Sequence, residues 1–252
     1  MLTSPGRALR AVTIAAALAL AAGCTSDDPS ATPSSSAGTT SETAPSPSTS
    51  DELPATGELF RAARTAALAA ESARIEGSLE RQGKAIEVEV EGTAGGSNQE
   101  LFLVVDGGGR AEVLTVGDEY WLGGDEAFWV EQTGDAEAGK AMVGRYVPIA
   151  ESDAKELGSF TVRSILTEEF SDPAIAAIET SSEPVQEEEL DGEPVYVLSG
   201  ADGAELTVAA DGSATLLRLV GPTDSPADLA FTRWGRVDTF TAPPASAVVD
   251  EG

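Results

Sequence analysis

From Ile86 to Glu91 apolar and acidic side chains alternate without a break: Ile86, Val88 and Val90 interleave with Glu87, Glu89 and Glu91. Successive side chains of an extended strand point to opposite faces, whereas a helix has a period of about 3.6 residues. This segment is therefore a strand with one apolar and one charged face. Such a strand needs neighbours that continue the apolar face and a layer that covers it. The charged face, with its glutamates, is expected on the wet side. The preceding segment supplies one neighbour. In Ala73–Arg81, residues Ala73, Ile75, Gly77 and Leu79 share one parity, and Arg74, Glu76, Ser78 and Glu80 the other. Gln82-Gly83-Lys84 reads as the turn of an antiparallel hairpin.

Further strands follow at short spacing: Glu100–Asp106, Arg110–Val116, Glu119–Leu122 and Ala127–Glu131. Asp106-Gly107-Gly108-Gly109, Gly117-Asp118 and Gly123-Gly124-Asp125 are turn chemistry between them. After a stretch without alternation, strands resume at Val185–Leu190, Pro194–Ser199, Glu205–Ala209, Thr215–Val220 and Leu229–Trp234, with Asp191-Gly192 and Asp211-Gly212 as turns. Two segments carry helical spacing. In Gly57–Ser72, residues Leu59, Phe60, Ala63, Ala66, Ala67 and Ala70 form one stripe. In Ser159–Phe170, residues Phe160, Arg163, Ile165, Leu166 and Phe170 share a face, and Pro173 follows. The expected class is α+β: about ten antiparallel strands with helices as the cover.

The N-terminal region is different. Arg7 and Arg10 precede an apolar run from Ala11 to Ala22. That run is too short for the ~20 residues that span a bilayer. A basic start, a short apolar run and small residues before a cut site make a secretory signal. Leu20-Ala21-Ala22-Gly23-Cys24 resembles a bacterial lipobox, and Cys24 is the single cysteine of the chain. Residues 1–23 are expected to be a lipoprotein signal peptide. Cys24 is expected to be the lipidated residue that holds the protein to the extracytoplasmic face of the cell membrane, because two acyl chains anchor stably where one is marginal. Thr25 to Pro54 is nearly all Ser, Thr, Pro, Ala, Asp and Glu, so residues 24–54 read as a tether. Its Ser/Thr/Pro content leaves open whether it carries O-linked sugars. Residues 55–252 then form the folded domain.

The chain has 15 basic and 43 acidic residues, a formal charge of −28. That excludes nucleic acid as a partner and disfavours flat adhesion to anionic headgroups. It has no histidine, which removes Ser-His-Asp nucleophiles, His-dependent acid–base chemistry and the common zinc sites. Gly107-Gly108-Gly109 lies between strands and is no phosphate cradle. With so many carboxylates, pairs arise by chance and point to no glycosidase. The run Glu187-Glu188-Glu189 reads as a solvated face. No catalytic residue, metal or cofactor is expected.

The order of elements carries a resemblance. It consists of a tether, a helix, a meander, the aromatic segment Val116-Gly117-Asp118-Glu119-Tyr120-Trp121-Leu122 with Phe128-Trp129, then helices and a second set of strands. That second set includes Leu190-Asp191-Gly192-Glu193-Pro194-Val195-Tyr196-Val197 and Ala210-Asp211-Gly212. The close is Phe231-Thr232-Arg233-Trp234-Gly235-Arg236-Val237, then Ala242-Pro243-Pro244. This is similar to the mycobacterial LppX/LprAFG lipoproteins and the wider LolA-like carriers. The resemblance implies a strongly curved antiparallel half-barrel whose concave face is closed by helices. It also implies a cavity for acyl chains of a lipid or lipoglycan carried between membrane and envelope.

On that reading Ile75, Leu79, Ile86, Val88, Val90, Leu101, Leu103 and Val113 line the cavity. On their own, the same residues read more simply as a filled core under the helices. Tyr120, Trp121, Phe128 and Trp129 read as a lip or, more simply, as a cap on the core, and Trp234 as packing. Two functions stay open for what is expected to be a monomer. One is a lipid carrier; the other is an envelope interaction or sensory module with a filled core and a protein partner.

Overall fold

The computed structural model describes residues 53–157 and 160–249. Cys24, the apolar run and nearly all of the Ser/Thr/Pro segment lie outside them. In chain order the elements are α1 (Thr56–Ala69), β1 (Ser72–Arg81), β2 (Lys84–Thr93), β3 (Asn98–Val105), β4 (Ala111–Val116), β5 (Glu119–Gly124), α2 (Glu126–Thr133), α3 (Ala136–Met142) and β6 (Val147–Pro148). Then come α4 (Glu151–Leu157), α5 (Val162–Glu169), α6 (Pro173–Ala177), β7 (Gln186–Leu190), β8 (Glu193–Ser199), β9 (Glu205–Ala209), β10 (Leu216–Val220) and β11 (Ala227–Thr232).

One antiparallel sheet of eleven strands has the order β6-β5-β4-β3-β2-β1-β11-β10-β9-β8-β7. It is two meanders joined where β1 pairs with β11, from Arg74↔Thr232 to Leu79↔Ala227. The sheet is curved and does not close. Its topology explains the helical layer. The first meander ends at the β6 edge and the second starts at the β7 edge, so the connecting chain must cross the whole sheet. The segment α4–α6 makes that crossing, and its apolar residues join those of α1 in one core with the inward side chains of the sheet. The β7 edge is exposed along its length and carries Glu187, Glu188 and Glu189, charges that blunt pairing with a second chain.

The hairpins form where the turn chemistry stands. Gln82-Gly83, Asp106-Gly107 and Asp191-Gly192 are pairs with both φ values positive. That geometry matches the right-handed twist of paired strands and suits Asp-Gly especially. Helix α5 begins with a capping box: Thr161 Oγ1 accepts from Ser164 N at 3.0 Å, and Ser164 Oγ accepts from Thr161 N at 2.8 Å.

Two expectations need correction. Residues 127–131 are not a strand but the middle of α2. Asp125 caps it, its Oδ1 accepting from Phe128 N at 2.8 Å. Gly109 lets the helix dock, since a Cβ there would sit 1.9 Å from Phe128 N. The aromatic segment is thus strand then helix. The sheet keeps about the expected number of strands, because the two-residue β6 pairs with β5. The second concerns Glu91, expected with Glu87 and Glu89 on the wet side. Glu87 is exposed, but Glu91 is only 9 % exposed, between Arg74 and Arg233.

Candidate functional site

The residues expected to line a cavity come together on one face of β1–β4. Register places Ile75, Val90, Leu101 and Val113 in one row across four strands. Val88 and Leu103 pair in the next row, and Leu79 and Ile86 in the one beyond. All eight belong to one buried cluster, with Ile75, Val90 and Leu101 at 0 % exposure and Ile86 and Leu103 at 7 %. From the helical side the same cluster takes Phe60, Ala63 and Ala67 of α1, Val162, Ile165 and Leu166 of α5, and Phe160 and Phe170 that flank it. Phe60 and Phe170 meet edge to face with centroids 5.9 Å apart.

One end of this interface borders solvent. The row of Leu79 and Ile86 continues on β3 to Val105, which is 40 % exposed. Beyond it, Arg81 and Lys84 face each other across the hairpin end and keep the inward parity of Leu79 and Ile86. The Arg81 guanidinium lies 4.4 Å from the centroid of the buried Phe160 ring and pairs with Glu168. Its Nε is buried and has no hydrogen-bond partner among the described residues. Next to Glu168, Glu169 has its carboxyl pushed up to about 7, first by burial and then by the charge of Glu168, with Arg81 opposing. The alternation of the β1–β2 hairpin, followed through its turn, is the signal that would have placed Arg81 and Lys84 at this rim.

The opposite face is ionic. Arg74 reaches Glu76 and Glu89 at 2.9 Å and Glu91 at 3.3 Å. Arg110 pairs with Glu89 at 2.9 Å and stacks on Phe102 at 3.9 Å. Arg233 pairs with Glu91 and with Asp238. An open depression of about 560 Å³ is lined there by Glu76, Glu87, Glu89, Phe102, Arg110 and Asp228, among others. Burial and neighbouring carboxylates, Glu112 first, hold the Glu100 carboxyl above its ordinary range. The Tyr146 hydroxyl donates to Glu112, and burial with this bond pushes its pKa up. The C-terminal segment straps this side: Gly235 N donates to Ser72 O, Asn98 Nδ2 to Phe240 O, and Val249 N to Tyr146 O.

The aromatic residues divide between the faces. Trp121 is opposite Leu114 on the ionic side, and both are buried. Trp129 is buried on α2. Trp234 stacks on Phe231 and donates Nε1 to Leu216 O at 2.8 Å, as packing requires. Among the described residues no group of three or more His, Cys, Asp or Glu is placed to hold a metal ion.

The chain is an open, curved antiparallel sheet of eleven strands with helices packed against it, an α+β fold. The sequence matches no family model and no curated protein. Among solved structures it is similar to LprF from Mycobacterium bovis, at 14 % identity over 75 % of this chain and 96 % of that one, with a TM-score of 0.44. It is also similar to the Mycobacterium tuberculosis lipoprotein LppX, at 14 % identity over 76 % and 100 %, TM-score 0.41. The Pseudomonas aeruginosa MucA/MucB complex matches at 16 % identity over 76 % and 59 %, TM-score 0.26. LprF and LppX are lipoproteins of the kind the sequence was expected to resemble; what the site does rests on its own geometry.

Proposed function

We propose that this chain is a cell-envelope lipoprotein, held to the outer face of the membrane through lipid on Cys24. Its sheet–helix interface takes up an acyl chain of a lipid or lipoglycan and carries it between membrane and envelope. Residues 1–23 are the cleaved signal, residues 24–54 the tether and the remainder the binding domain, which works as a monomer without covalent chemistry. The observation that carries this is the continuous apolar face of β1–β4 meeting a helical layer through side-chain contacts, with a rim at Val105. Separating two strands breaks a ladder of hydrogen bonds. Parting α5 from the sheet breaks mainly apolar contacts, and an acyl chain replaces those in kind at little net cost.

The near-complete burial of Ile75, Val90 and Leu101 favours the second reading, a filled core that supports an interaction or sensory module. The two separate cleanly. A Cys24→Ala protein, purified from its native envelope without detergent, is extracted and its lipids are measured by mass spectrometry. The carrier reading expects about one acyl lipid per protein. A lipid-free extract sinks it and leaves the filled core.

A further inference from the structure

We infer that Arg81 and Lys84 anchor the anionic head of the acyl ligand at the rim of the apolar interface. This rests on the acyl-binding reading above. The chain has 15 basic residues against 43 acidic ones, yet two of the 15 sit opposite each other here, on the inward parity. Lys84 is exposed at the hairpin end, as a charge that meets a ligand from solvent should be. Arg81 is mostly buried, with its guanidinium over Phe160 and its Nε lacking a hydrogen-bond partner among the described residues. A buried guanidinium N–H without an acceptor is costly, and a carboxylate or phosphate oxygen is its best partner. The remaining carboxylate on Arg81, Glu168, is half-exposed, so it can swing out when another anion takes its place. Glu169, with its carboxyl pushed up to about 7, carries less negative charge near neutrality than an ordinary glutamate and repels that anion less.

The placement suits an amphiphile. Phe160, Leu79 and Ile86 are buried members of the cluster, and Val105 is the exposed apolar step beside them. A chain that passes between these residues leaves its head level with Arg81 and Lys84. The ligand class is a single-headed anionic lipid, with its charge at one end and a saturated or unsaturated chain at the other.

The test uses Cys24→Ala protein and two fluorescent probes of equal chain, cis-parinaric acid and its methyl ester. The expected result is that the acid binds about tenfold tighter than the ester. Lys84→Gln, at an exposed position, should weaken the acid about threefold and leave the ester unchanged. Arg81→Gln with Lys84→Gln should bring the acid to the level of the ester. Equal binding of acid and ester by the wild type overturns the anchor while acyl binding stands. Binding of neither probe removes the acyl reading itself and the anchor with it. Parallel loss of acid and ester in the variants, with circular dichroism unchanged, also overturns the anchor, since it reports packing. Competition then assigns the head. Displacement by lysophosphatidic acid assigns a phosphate, and displacement by oleate alone a carboxylate. Equal displacement by lysophosphatidylcholine contradicts the inference.

Discussion

The two faces of the sheet are built from the same strands by opposite means. Val88 and Glu87 are adjacent, yet one is buried in the common core and the other lies in the exposed lining of an open depression. The inner face holds together by packing, and its partners are the helices that cross it. The outer face is stitched by arginines that reach between strands: Arg74 on β1 to Glu89 and Glu91 on β2, Arg110 to Glu89, and Arg218 on β10 to Asp228 on β11 at 2.7 Å. The exposed pairs among these, Arg110–Glu89 and Arg218–Asp228, contribute about 0–1 kcal/mol each. Stability therefore lies on the inner face, while the outer face sets solubility. A one-residue slip of register would exchange the two faces, which makes the register strongly specified.

Substitutions on each face measure that asymmetry. Leu101→Ala, at the centre of the inner face, should cost about 2–5 kcal/mol in a urea unfolding titration, as large-to-small changes in packed cores do. A loss under about 1 kcal/mol would mean that the interface is loosely filled.

The next largest effect comes from the half-buried Glu169 at the rim of the inner side. Glu169 has a folded-state pKa of about 7 against an ordinary 4.5. Its contribution is favourable below pH 4.5 and is lost as the pH rises through 7, because the ionised form is the one that burial penalises. Glu169→Gln should flatten the pH dependence of the melting temperature between pH 4.5 and 7. At pH 8 it should stabilise by roughly 1–3 kcal/mol. An unchanged profile would show that Glu169 is solvated.

The smallest effects belong to the outer face. Glu91→Gln, which takes the shared carboxylate from Arg74 and Arg233, should cost about 1–2 kcal/mol. Glu87→Gln should stay within about 0.5 kcal/mol. Equal costs at the two positions would show that the burial of Glu91 is not stabilising.

Much of this was legible in the sequence where local rules act alone. The β1–β2 hairpin, the Asp-Gly turns and the inward set from Ile75 to Val113 follow from period and turn chemistry. Residues 127–131 read as a strand in the sequence because a strand and a short helix look alike over so few residues. The deciding signal, Asp125 as a cap behind two glycines, also reads as a turn. Burial of Glu91 depends on Arg233, 142 residues away, and no local pattern reports such a pair. The same holds for Arg81 over Phe160: parity gives the direction of the arginine, but only the crossing of α4–α6 brings the ring beneath it. Two-residue β6 is too short to have a period.

On the proposed function, the inner face, and not the outer depression, receives an acyl chain. Crystals of the Cys24→Ala protein grown with a fatty acid brominated near its chain end would place the bromine directly by anomalous scattering. The account predicts a peak inside the cluster of Ile75, Val88, Leu103 and Leu166. A peak confined to the depression beside Phe102 and Arg110, or none at saturating ligand, would contradict it.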